Sequence, residues 1–168
     1  MKKNLGKIVA GAAILFGLIA VLLIFAPAIA PKKELAQLAG DDSPLAGSAV
    51  AFGNKDEKTV FSAYVLAFAL PLVGLILSVL ALLGKGGKIV PIAAAVCFLV
   101  GGIFYFLPMA FVTPDLGELS GEAKSKALEI FRDMLKESCN VGLGAIFGGI
   151  FSILAACASA ATLVVNKK

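Results

Sequence analysis

Residues 60–112 read VFSAYVLAFALPLVGLILSVLALL, then GKGGK, then IVPIAAAVCFLVGGIFYFLPMAFV. Each apolar run exceeds the roughly 20 helical residues that cross a hydrocarbon core about 30 Å thick. The five-residue glycine-lysine turn between them is short enough only for antiparallel neighbours. Two further apolar runs, 8–31 and 141–165, lie on either side. The expectation is an all-α integral membrane protein, a four-transmembrane-helix antiparallel bundle with spans 8–31, 60–83, 89–112 and 141–165. The inner turn is 84–88 and the outer loops are 32–59 and 113–140. Composition agrees: 60% of the 168 residues are apolar and 15% charged, against roughly 45–50% and 25% in soluble domains. The remaining residues are too few for a separate soluble domain, so 1–168 reads as one membrane unit.

The charges give the orientation. Lys2, Lys3, Lys7, Lys85, Lys88, Lys167 and Lys168 occupy three segments that contain no acid, whereas all 11 acids lie in the two outer loops. Lysine marks the inner side, which makes both termini cytoplasmic in a plasma membrane. Ala28-Ile29-Ala30 imitates a signal-peptidase site, but the apolar run before it is too long for a signal core and Pro31 follows the bond; the first run is expected to stay as a span. The absence of any Asn-x-Ser/Thr sequon and of a loop disulfide framework fits a bacterial membrane.

Aligning residue i with i + 81 superposes Gly6-Lys7-Ile8-Val9 on Gly87-Lys88-Ile89-Val90 and Pro27 on Pro108, with 9 identities in 22 positions, and Ser78 on Ser159 in the second pair of spans. A duplicated helical hairpin would place the halves about a two-fold along the membrane normal; chance matching in apolar sequence is the other reading. In the outer loops, Lys33 to Leu38 suggests a helical turn, Asp41-Asp42-Ser43-Pro44 is turn chemistry, and Asn54 to Glu57 reads as a helix start. Ser120 can cap an amphipathic helix in which Ala127, Ile130, Phe131, Met134 and Leu135 share one face. That helix is expected to run into the fourth span, with Ile130, Phe131, Met134 and Leu135 as a partner-facing or lipid-covering surface.

The spans hold no Asp, Glu, Lys, Arg or His. Ionisable groups inside a membrane mark proton relays and ion paths, so proton-coupled transport is disfavoured. The chain has no histidine at all, and Cys97, Cys139 and Cys157 match no zinc spacing. No enzyme, cofactor, metal or nucleic-acid partner is expected. Small residues are patterned instead: Gly144, Gly148, Gly149, Ser152, Ala156 and Ala160 give the fourth span small-x3-small spacing over more than one face, the signature of close helix approach. One face suits the bundle and a second suggests another chain. Pro71 falls mid-span, where it frees a carbonyl and kinks a helix. The outline resembles that of tetraspan families such as claudins and tetraspanins, without the tryptophan and first-loop cysteine pair of the former or the Cys-Cys-Gly of the latter.

These readings favour a non-enzymatic scaffold or accessory subunit that assembles laterally with itself or another membrane protein among membrane lipids. An oligomeric pore or carrier for a small neutral or lipidic substrate, hinged at Pro71, is the alternative. A lipid-directed enzyme would have to draw on Asp41, Asp42 or Asp115.

Overall fold

A computed structural model of the chain describes residues 2–32, 44–52, 63–111 and 121–165. In chain order the elements are α1 (Lys2–Leu22), continued by a 3-10 turn at Leu23–Phe25, β1 (Pro27–Pro31), β2 (Leu45–Ala46), α2 (Gly47–Phe52), α3 (Val65–Leu82), α4 (Ile89–Tyr105), α5 (Pro108–Phe111), α6 (Glu122–Ser138), β3 (Cys139–Val141) and α7 (Leu143–Val165). The suggested turns at Lys33 to Leu38 and Asp41 to Ser43, the helix start at Asn54 to Glu57, the Ser120 cap and Asp115 fall outside the described residues.

Helices α1, α3, α4 and α7 close into a ring in that order, each packed against two neighbours. All four contacts are antiparallel. Tyr64 at the start of α3 meets Tyr105 at the end of α4, while Ala10, Ala81, Pro91 and Thr162 come together at the opposite end. One end therefore carries Lys7, Lys85 and Lys88, and the other carries the strands and α6. Three segments, Leu5–Phe25, Val65–Leu82 and Leu143–Val165, are long and apolar enough to cross a membrane; the fourth apolar helix, Ile89–Tyr105, has 17 residues.

Packing runs opposite to the usual soluble rule. Ala13, Ala20, Ala67, Ala94 and Ala155 are buried, while Ile8, Ile76, Ile89, Ile103 and Leu143 point outward. Phe98 is one of the large side chains inside, with Tyr64, Tyr105 and Ile24. Its ring fills the centre of the bundle against Gly17 and Gly74, where added Cβ atoms would come within 2.6 and 3.1 Å of it. Ser152 donates its hydroxyl to the Phe98 carbonyl at 2.7 Å, and Ser78 and Ser159 stand 3.5 Å apart deeper towards the lysine end.

The expected span boundaries need correction at the strand-bearing end. The first helix stops at Leu22 and the chain turns extended at Pro27–Pro31 rather than spiralling to residue 31. The cause is local: a residue before proline is pushed out of the α region, and proline has no N–H to donate. Ala26 accordingly sits at ψ 162. The third run breaks the same way, at Phe106 and Leu107, before Pro108 opens α5. The second begins at Val65 among the described residues.

The amphipathic helix does not run into the last span, because β3 and Gly142 separate α6 from α7. The all-helical expectation thus misses a small sheet of order β2-β1-β3. Both pairings are antiparallel, with Ile29 opposite Val141, Ala30 opposite Asn140, and a register irregularity where β1 meets β2. Gly142 donates to the Ala28 carbonyl at 2.7 Å. A Cβ on Gly142 would run into the backbone of Pro27, so only glycine lets the two segments lie this close.

Candidate functional site

Three regions hold the residues singled out by sequence. The first is the stripe on α7. Gly148 lies under the ring of Tyr105, where a Cβ would stand 2.5 Å from the ring carbon Cε1, and Gly149 lies under Phe106 in the same way. Gly144 meets Ala26 and Pro27, and Ser152 and Ala156 are buried against the Phe98 region. Sequence gave one face of this stripe to the bundle and a second to another chain; the glycines meet Tyr105 and Phe106 at the end of α4 and the segment Ala26–Pro27 that follows α1. Ala160 alone of the six is exposed. Tyr105 is fully buried, and its hydroxyl donates to the Ala20 carbonyl. That bond supplies a partner where the α-helical ladder of α1 gives way to the 3-10 turn.

Pro71 lies inside the ring. It is fully buried, α3 continues from Val65 to Leu82 around it, and its Cδ would stand 2.5 Å from a Cβ on Gly101. Glycine at 101 leaves room for the proline ring.

The second region is α6. Its apolar face divides: Phe131 and Leu135 are half-buried, whereas Ile130 and Met134 are 62% and 60% exposed, and no residue of the helix is fully buried. Its C-terminus is tied down instead. The Lys32 backbone N–H donates to the Ser138 carbonyl at 2.9 Å, and the Lys32 ammonium donates to the Glu137 carbonyl, a cation on the negative end of a helix. In the adjoining strand, burial pushes the Cys139 thiol up from its ordinary range and the Lys32 charge pulls it partly back. Cys139 is therefore expected to react with iodoacetamide more slowly at pH 8 than the same thiol in detergent-unfolded chain. The difference should shrink as pH rises through the raised value and the thiolate forms in the folded state. Equal rates at pH 8 would contradict the burial.

The third region was legible only as topology. At the lysine end, two adjoining hollows of about 240 and 260 Å³ share Ala81, Gly84, Gly87, Pro91 and Thr162. Lys7 lines one, and Lys85 and Lys88 the other. A void of about 10 Å³ continues inward to Ser78, Ser159 and Thr162. Sequence gave the lysines and the glycine turn, but nothing in it says that the ends of four helices leave a hollow between them.

No family model, curated protein or solved structure matches the chain.

Proposed function

We propose that α1, α3, α4 and α7 all span a plasma membrane, with the lysine end and both termini cytoplasmic, and that the protein works without catalysis as a laterally assembling scaffold or accessory subunit of a membrane complex. The membrane part rests on the inverted packing: small residues inside and large aliphatic side chains outside suit lipid, which offers no reward for burying leucine. Seventeen residues lie at the lower end of the spanning range, so α4 qualifies. Segregation of the lysines supports the orientation.

The assembly part is carried by one observation, the exposed Ile130 and Met134 on a helix that buries nothing fully in its own chain. A second copy or another subunit would cover that face. The pore or carrier alternative would need a path between protomers, since Phe98, Tyr105 and Pro71 fill the interior of the ring.

The hairpin duplication belongs to the same proposal. Ser78 stands beside its repeat mate Ser159, and Gly17 lies against its repeat mate Phe98, as expected for residues near a two-fold along the bundle. A glycine paired with a phenylalanine fills an axis where two phenylalanines would clash.

The test is native mass spectrometry of protein extracted gently from its own membrane, for the wild type and for Ile130→Asp with Met134→Asp. The expected result is an assembly of fixed mass, at least tenfold depleted in the double variant at unchanged chain level. A strictly single-chain mass with nothing attached would sink the assembly reading. Flux through reconstituted liposomes would favour the alternative.

A further inference from the structure

We infer that the hollow at the lysine end is a binding site for a phosphate ester, recognised through its anionic phosphate. The inference takes only the membrane setting from the function proposed above and is independent of lateral assembly. Lys7 comes from α1 and Lys85 and Lys88 from the turn between α3 and α4, so separate parts of the chain bring positive charge to one depression. The only ion pair among the described residues joins Lys136 to Asp133 at the other end, and every acid in the chain belongs to the two segments 32–59 and 113–140. Among the described residues, these three ammonium groups have no carboxylate partner.

The turn shapes the rim of the hollow. Gly84, Gly86 and Gly87 have φ of 72, 86 and 61, left-handed values that fold the turn back over the end of α3, where the Gly84 and Lys85 N–H groups donate to the Ala81 and Leu80 carbonyls. The amino terminus of α4 follows directly and adds its positive dipole end. The two adjoining hollows, of about 240 and 260 Å³, have room for a phosphate with a short polar ester. The uncharged floor at Thr162 leads to a void of about 10 Å³, about the volume of one water-probe sphere. Two sources supply this chemistry: the headgroup of an anionic phospholipid, since basic pockets between helices on the cytoplasmic side take such headgroups, and a free phosphorylated small molecule.

The test uses the full chain in neutral detergent, which removes any dependence on insertion orientation. Retained lipid is counted by native mass spectrometry during titration with phosphatidylglycerol or phosphatidylcholine, and glycerol 3-phosphate is titrated calorimetrically. Two charge variants are compared, Lys7→Gln/Lys85→Gln/Lys88→Gln and Lys124→Gln/Lys126→Gln/Lys136→Gln, together with Ala81→Phe, which fills the hollow and leaves the charge intact. The expected result is one phosphatidylglycerol held at least tenfold more tightly than phosphatidylcholine. The lysine-end triple variant should weaken it about a hundredfold, Ala81→Phe at least tenfold, and the other triple variant little. Glycerol 3-phosphate binding with the same variant pattern, without lipid preference, would assign the site to a soluble ester. Binding unaffected by Ala81→Phe, equal loss in both triple variants, or no preference for either phosphate ligand would overturn the site. Failure of the wild type to enter liposomes would count against the membrane reading alone.

Discussion

Gly148→Leu is expected to unfold the bundle rather than to loosen an assembly. A Cβ alone at this position would stand 2.5 Å from the Tyr105 ring, and leucine adds three more carbons in the same direction. The ring cannot yield cheaply, because it is fully buried, packs edge-on against Tyr64, and donates its hydroxyl to the Ala20 carbonyl. Overpacking costs about 1–3 kcal/mol, and breaking a buried hydrogen bond costs about 1–3 kcal/mol more. Detergent-purified variant should show a clear drop in its SDS-unfolding midpoint by circular dichroism, or elute as aggregate. Ala160→Leu, on the exposed side of the same helix, should leave the midpoint in place. An unchanged midpoint for Gly148→Leu would mean that the α4–α7 contact is misplaced. For the same reason Ala160, and not Gly148, is the α7 position at which lateral assembly can be probed without disturbing the fold.

Phe98→Ala is expected to be as damaging by the opposite route. The ring is completely buried among Ala94, Ala155 and Ala156 and closes on Gly17 and Gly74. Its removal leaves a void beside Gly17, Gly74 and the alanines, with Phe16, Leu75 and Leu77 packed against the same cluster. Truncations of this kind cost about 3–5 kcal/mol. Gly17→Ala alone should also destabilise, by about 1–3 kcal/mol, because its methyl would stand 2.6 Å from the ring. Together the two should cost clearly less than the sum, since the new methyl enters the space that the ring vacates. Strict additivity in SDS-unfolding midpoints would refute the direct contact.

The sequence carried the long elements because hydropathy and run length are local quantities. The four apolar runs and the turn at 84–88 are legible from residue type alone. Their ends are not, since a count of apolar residues passes straight through Ala28, Ile29 and Ala30; the readable signal was Pro27 and Pro31 bracketing them. The pairing of that segment with Cys139–Val141 joins residues about a hundred positions apart, and no local pattern announces it. The helix 122–138 was legible from its spacing, but the interruption by β3 was not. The stripe Gly144, Gly148, Ser152 states that something approaches closely without naming it, and the structure supplies Tyr105 and Phe98 from the same chain. The lysine hollow needed three dimensions, because Lys7, Lys85 and Thr162 belong to elements distant in sequence.

The pairing of β1 with β3 also orders events in time. At about 5–20 residues per second, a ribosome finishes β3 roughly 5 to 20 seconds after releasing β1. Until then one edge of β1 has no strand beside it, and Gly142 is not yet there to donate to Ala28. That edge is closed only when β3, among the last elements to emerge, pairs with it. A chain truncated before residue 139 would keep that edge of β1 open.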